Sequence, residues 1–229
     1  QFDVRQVVTA HLQIYQKLIV KKKKVLFVVN SVTFFLSHRL PIAHQLIEDG
    51  FEVHLAASGE TLPILDAMGL IFHDLRFTRQ GTRPLSEIMV IWHLFKLFND
   101  LKPDIVHLVT IKPYLYGGIA AKLAKVPAVV SAVSGLGVVF IAKGLKAKLL
   151  RAVLYPLYKL AFSHSNQAII FQNRDDAEFL VNWVDIPSSK VCLIRSSGVD
   201  LNVYQNSAEP TGKITVAFVA RLLVDKGIR

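Results

Sequence analysis

"VLFVVNSVTFFLSHRLPIAHQLIEDG", Val25 to Gly50, decides the fold. Its first six residues, Val25 to Asn30, are an unbroken apolar run ending on a polar residue. Branched and aromatic side chains without polar alternation mark a strand buried on both faces. A polar stretch, "NSVTFFLSHRLP", reads as the loop after that strand. "LPIAHQLIEDG" (Leu40–Gly50) then has helical spacing and a glycine stop. "FEVHLAAS" (Phe51–Ser58) returns to the strand pattern.

The alternation continues outward. Further strands are expected at Leu70–Phe77, Asp104–Thr110, Ala128–Ser134, Gln167–Asn173 and Val191–Ser196. Helices are expected at Thr61–Gly69, Pro84–Lys102, Tyr116–Val126, a basic region reaching about Phe162, and Asp175–Val184. Such a series predicts an α/β, Rossmann-like, doubly wound parallel sheet, with ligands at the carboxyl ends of its strands. "NSAEPTG" (Asn206–Gly212) is a polar linker, and "ITVAFVA" (Ile214–Ala220) reads as the first strand of a second unit.

Composition narrows the function classes. The chain has 229 residues, half of them apolar, enough to bury a sizeable core. Its formal charge of +10 asks for a polyanionic partner: anionic lipid, nucleic acid or a phosphorylated substrate. Nucleic acid is disfavoured, because no basic-plus-aromatic recognition motif is present. One cysteine, Cys192, excludes a disulfide framework and fits a reducing, cytoplasmic location. The most apolar windows are interrupted by charged residues, His or Pro, so no bilayer span is expected. The chain opens without a signal-peptide pattern or a starting Met and is expected to be a piece of a longer one.

The strand ends carry the candidate site residues. The first loop lacks the glycines that a dinucleotide's pyrophosphate needs, which argues against NAD. It offers Asn30, Ser31, Thr33, Ser37, His38 and Arg39, hydrogen-bonding groups suited to a sugar or phosphate. The alternative is a helix capped at Ser37, with His38 and Arg39 solvated. "TIKPYLYGG" places Lys112 at the sheet's carboxyl edge, where an ammonium suits a diphosphate or is simply a surface charge beside Pro113. His107, within an apolar strand, reads as a core histidine. "SGLGVVF" brings Gly135 and Gly137, which permit close backbone approach to a ligand or make a plain turn. In Lys143–Phe162 the cations Lys146, Lys148, Arg151 and Lys159 punctuate apolar residues. That is the pattern of a membrane-surface helix, or of a covering helix with a solvated basic stripe. Arg221 and Lys226 share one loop and can clamp a diphosphate. No metal-ligand spacing and no nucleophile elbow are found.

Together the segments "FFLSHRLPIAHQL", "PDIVHLVTIKPYLYGGIAAKLAK", "VSGLGVVF", "AIIFQNRDDAEFL", "IRSSGVD" and "FVARLLVDKG" resemble family 4 retaining glycosyltransferases of two-domain GT-B architecture. The likeness is nearest to bacterial enzymes that extend polyprenyl-diphosphate-linked oligosaccharides. It implies a nucleotide-sugar donor, UDP-linked, as substrate and no cofactor or metal. Arg221 and Lys226 match the family's donor-diphosphate pair. His38, Arg39 and Lys112 match first-domain cleft positions for the acceptor's diphosphate and sugar. Gly135, Gly137, Asn173 and Gly198 match cleft-lining turns. The expected setting is the cytoplasmic face of an anionic membrane.

The resemblance also divides the chain. Residues 21–205 would be the acceptor-binding domain, 206–212 the linker, and 213–229 the first strand and loop of a truncated donor domain. The family's donor-holding glutamates would lie past Arg229, so this chain by itself is expected to be inactive. Residues 1–20 resemble the family's C-terminal helix, which crosses back onto the first domain; the apolar side of Val4, Val7, Val8, Leu12, Ile14, Tyr15, Leu18 and Ile19 fits such docking. Two alternatives remain: a non-catalytic membrane- or partner-binding module, and a sugar-nucleotide epimerase of the same architecture.

Overall fold

The computed structural model describes residues 3–18, 24–75, 84–137, 140, 144–208, 211–214, 216, 218 and 219. Among these, β1 (Lys24–Val28), β2 (Glu52–Ala57), β3 (Ile71–Asp74), β4 (Ile105–Val109), β5 (Ala128–Val133), β6 (Gln167–Phe171) and β7 (Val191–Leu193) form one sheet. Every neighbouring pair is parallel, in the order β3-β2-β1-β4-β5-β6-β7. The expected doubly wound α/β architecture is the observed one. The central strands β4, β5 and β6 are buried at every position, which is why their sequences show no polar alternation.

Helices cover both faces. On one lie α1 (Val4–Leu18), α2 (Val32–His38), α3 (Leu40–Glu48) and α4 (Pro63–Ala67), packed over Val25, Phe27, Val53, Leu55, Ile105 and Val130. On the other lie α5 (Pro84–Leu101), α6 (Gly118–Leu123), α7 (Leu145–Ala161) and α8 (Arg174–Val184), packed over Leu26, Val28, Val106, Leu108, Val129 and Ile169. Gly118 lets α6 press on the end of α7: a Cβ there would lie 2.6 Å from the Ala161 carbonyl oxygen. α8 is capped by Asn173, whose side chain accepts from the Asp176 amide, and its first turn carries Asp175 and Asp176.

One sequence reading is corrected. The stretch after β1 is a helix, not a loop, and its N-cap is Ser31, not Ser37; the Ser31 side chain accepts from the Phe34 amide. Val32 and Phe35, three residues apart, bury against the sheet and pay for the turn. Of the run expected as the first strand of a second unit, Ile214, Val216, Phe218 and Val219 are described and are exposed, and the rest lies outside the described residues. The sheet order reverses between β1 and β4, so the loops after these strands diverge and open a crevice.

Candidate functional site

The crevice is built from the ends of β1 and β4. Val28 pairs with Leu108, and two residues farther along each chain come Asn30 and Thr110. Thr110 has φ of 76°, a conformation that a β-branched residue adopts at a cost. Its Oγ1 is buried without a hydrogen-bond partner, and so is Asn30 Oδ1. Beyond Thr110 the chain enters a π-helical turn, Pro113–Gly117, a distortion that often accompanies functional sites.

Lys112 stands at this edge as expected, but its charge is engaged. Its Nζ donates to Glu87 Oε1 at 2.8 Å, and both side chains are largely covered. Glu87 lies in the first turn of α5, and its Oε2 is buried. The Tyr116 hydroxyl is pushed above the usual tyrosine range by burial first and then by its hydrogen bond to the Glu87 carboxylate. Sequence reading missed Glu87, which it saw only as part of a long helix. On the β2 side, Ser31, Thr33, Ser58, Gly59 and Glu60 line a cavity of ≈ 540 Å³, with Thr33 exposed at its rim.

Other expected residues are placed as follows. Gly135 (φ 143°) and Gly137 (φ 80°) follow β5 and need glycine backbone; a Cβ on Gly137 would strike the Ile111 side chain. Asn173 follows β6, but its side chain is occupied in capping α8 and in donating to Asp176 Oδ2. His38 is exposed and stacked on Phe34. Burial, partly offset by the Phe34 carbonyl, lowers its pKa.

Arg39 is not open to a ligand. It is 2% exposed, and its Nη1 donates to the His38 carbonyl and to Ser197 Oγ. Among the described residues no carboxylate pairs with it, and its Nε is unpartnered. Gly198, expected in the cleft, instead seats α1: a Cβ there would lie 2.6 Å from Val4 Cα. α1 docks by a one-residue parallel bridge from Asp3 to Val199, and the Val4 amide donates to the Val199 carbonyl. Val7, Val8 and Tyr15 bury against the sheet.

Beneath α1 lies a polar cluster that the sequence did not reveal. The Tyr15 hydroxyl is hydrogen-bonded to His107 Nδ1, and His107 stacks between Phe27 and His11. His11 Nδ1 bonds the Val7 carbonyl, while the Nε2 atoms of both histidines have no partner. Burial holds the His11 pKa down at about 4 and lowers that of His107 well below the ordinary value, with the Arg39 charge adding to both. The core reading of His107 stands.

The basic helix is α7. Lys146 and Lys148 are exposed among Leu145 (82% exposed), Leu149 and Val153. Arg151 is half-covered and reaches the Phe140 carbonyl. Lys159 is different: its Nζ is 3.0 Å from Asp185 Oδ2 and 3.2 Å from the Tyr155 hydroxyl. These bonds raise its pKa, that to Asp185 foremost. Among the described residues no helix is long and apolar enough to cross a membrane. Arg221 and Lys226 lie outside the described residues.

Residues 24–173 match the family model described as glycosyl transferase 4-like. A curated Campylobacter jejuni protein, N,N'-diacetylbacillosaminyl-diphospho-undecaprenol alpha-1,3-N-acetylgalactosaminyltransferase, is 31% identical over 217 residues. That match covers 85% of this chain and 57% of the relative, so the chain spans little more than half of it. Among solved structures, a glycosyltransferase from Rickettsia africae is similar with a TM-score of 0.53 and 15% identity, over 76% of this chain and 43% of that one. A UDP-N-acetylglucosamine 2-epimerase gives a TM-score of 0.54 at 19% identity, over 83% and 53%. HepE of Anabaena, solved with UDP-glucose, gives 0.52 at 16%, over 80% and 46%. Transferases and epimerases share this fold, so the structural likeness speaks to architecture alone.

Proposed function

Because the chain belongs to the glycosyl transferase 4-like family, we propose that it is the acceptor-side half of a glycosyltransferase. The whole enzyme moves a sugar from a UDP-sugar to a glycan carried on a polyprenyl diphosphate. The observation that carries this reading is the 31% identity, across 85% of the chain, to a transferase whose acceptor is a diphospho-undecaprenol-linked sugar. The polar rim at Asn30, Thr33, Thr110 and Lys112 suits such an acceptor, being placed where a doubly wound sheet takes its ligands.

The reaction proceeds with retention by front-face displacement. An acceptor hydroxyl bonds to the anomeric carbon on the side from which the nucleoside diphosphate departs, and its proton passes to a departing phosphate oxygen. Charge builds on that leaving group, and Arg221 and Lys226 stabilise it. This chain alone holds the acceptor without turning over. The test is radiolabelled sugar transfer from UDP-N-acetylgalactosamine, UDP-N-acetylglucosamine and UDP-glucose to a polyprenyl-diphosphate-linked sugar, using the full-length product of the gene that contains this chain. Transfer from one donor is the expected result. No transfer from any of them favours a non-catalytic binding module.

The setting is an anionic membrane surface on the cytoplasmic side, contacted by the first half of α7. Leu145, Leu149 and Val153 are exposed there beside Lys146 and Lys148. Lys148 and Arg151 also rim a cavity of ≈ 560 Å³ floored by Tyr155, Phe179 and Trp183. A basic residue near an anionic surface contributes about 1 kcal/mol. Reversing Lys146 and Lys148 to Glu is therefore expected to weaken sedimentation with phosphatidylglycerol vesicles by more than about tenfold. The paired change Lys159→Met with Asp185→Asn is expected to change it little, because it removes an ion pair without altering the net charge. Equal loss from both variants would refute this placement.

A further inference from the structure

We propose that the slot between α7 and α8 holds the headgroup and glycerol of one anionic phospholipid drawn from the membrane surface. The inference rests on the membrane placement above and names the ligand class of one part of that surface. The slot, ≈ 560 Å³, is lined by Lys148, Arg151, Ala152 and Tyr155 of α7 and by Phe179 and Trp183 of α8. Helical spacing gathers them: positions 148, 151, 152 and 155 share one face of α7, and 179 and 183 one face of α8. The volume is that of a small-molecule site. Lys148 is exposed, and its ammonium has no hydrogen-bond or ion-pair partner among the described residues. Arg151 donates to the Phe140 carbonyl at 3.5 Å, which keeps its guanidinium at the slot's edge. Among the described residues no carboxylate lines the slot, Asp175 and Glu178 of α8 included.

The floor of the slot is aromatic. Trp183 meets Phe140 at 5.0 Å between ring centroids, Tyr158 at 5.3 Å and Tyr155 at 5.8 Å, each edge-on. The Tyr155 hydroxyl is held by Lys159. Aromatic walls alone would suit a quaternary ammonium, but the cations at the rim repel one. A free phosphate would use the rim and leave the apolar floor without a partner. A phosphate joined to apolar chains uses both. The exposed Leu145, Leu149 and Val153 lie about a third of a turn round α7 from the slot. A membrane touched by that stripe therefore brings phospholipid headgroups to the slot's mouth, the level at which Trp and Tyr rings settle in a bilayer. α8 packs on β6, two strands away from the crevice between β1 and β4, so the lipid sits beside the acceptor's place and is not the acceptor.

The test follows the fluorescence of Trp183 in the 229-residue chain carrying Trp92→Phe, a change at an exposed position that leaves one indole. The probes are monomeric dihexanoyl phosphatidylglycerol, monomeric dihexanoyl phosphatidylcholine, farnesyl diphosphate and inorganic pyrophosphate. Saturable binding of the phosphatidylglycerol is expected, with phosphatidylcholine and pyrophosphate each weaker by about fivefold or more. Lys148→Gln should weaken phosphatidylglycerol about fivefold, the effect of one basic residue at an anionic surface. Ala152→Phe, at an exposed position, fills the slot without changing charge. It should abolish monomer binding while sedimentation with phosphatidylglycerol vesicles persists. Leu149→Ser with Val153→Ser should do the opposite. The proposal is overturned if the phosphatidylglycerol monomer does not bind or if Ala152→Phe leaves its binding unchanged. Tighter binding of farnesyl diphosphate would overturn it by giving the slot to the acceptor, and tighter phosphatidylcholine by making it a cation's site. Vesicle sedimentation without monomer binding would sink this inference and spare the membrane placement. Monomer binding without sedimentation would do the reverse.

Discussion

Gly198→Ala is expected to unseat α1 and to destabilise the chain by about 3 kcal/mol or more. Two causes act together. Gly198 has φ of 74°, where an alanine pays a steric cost of about 1 kcal/mol. Its missing Cβ would also lie 2.6 Å from Val4 Cα and 3.0 Å from Val4 N, which are backbone atoms that no rotamer change can move. α1 must therefore shift, and the bridge from Asp3 to Val199 and the burial of Val7 and Tyr15 shift with it. Urea denaturation should show the loss in midpoint, and limited proteolysis should cut within residues 3–18 before any other part of the chain. A folded variant with unchanged proteolysis would show that α1 does not depend on this contact. Gly135→Ala provides the contrast: it meets nothing within 4 Å, so it carries the backbone cost alone.

The sheet was legible because parallel strands buried on both faces have no polar face to hide, and the near-continuous apolar runs at β1, β4, β5 and β6, broken only singly by residues such as His107 and Ser131, say so directly. α2 was not legible. It is only seven residues long, and Ser31 is followed three positions on by Phe34, so it lacks the Glu or Gln that completes a capping box. The edge strand β7 ends at Leu193, and the next residue, Ile194, is buried in the core on the α1–α2 face.

The site divides along the same line. Lys112 was placed by its position after a strand, which local pattern does reveal. Its partner Glu87 lies 25 residues earlier, and their meeting depends on where the start of α5 falls over the sheet edge. No periodicity encodes that. Arg39 and Gly198 were assigned to the cleft by resemblance. The structure puts both beneath or against α1, an element that begins the chain, and the contact of Arg39 with Ser197 spans 158 residues. Docking of residues 1–20 is expected from the resemblance and the apolar side of the helix; the described part, residues 3–18, packs on the α2–α3 face. What the periodicity could not show is that Tyr15 and His11 bring polar atoms into that contact.

Those polar atoms make the chain acid-sensitive. His11 is folded with a pKa of about 4, whereas in the unfolded chain it titrates near the ordinary value of 6.5. Above pH 6.5 both states hold it neutral and its contribution is complete. Between pH 6.5 and 4 the unfolded chain takes up a proton that the folded chain refuses, so stability falls as pH falls. For His11 alone the loss is about 2 kcal/mol by pH 5. His107, whose pKa burial also lowers, acts in the same direction. The Arg39 charge, buried with no carboxylate paired to it among the described residues, disfavours a second or third cation in the same space. Tyr15 cannot relieve it, because burial holds its phenol protonated well above the usual range. The urea midpoint is expected to drop steeply between pH 6.5 and 5, and amide exchange in α1 should accelerate before exchange in β4 and β5. Arg39→Met should make the drop shallower, since removing the neighbouring charge lets folded His11 and His107 accept protons at less cost and brings their folded pKa values closer to the unfolded one. A midpoint that is flat from pH 7 to 5 would mean that these histidines are already charged or already exposed, and that α1 does not seal the cluster.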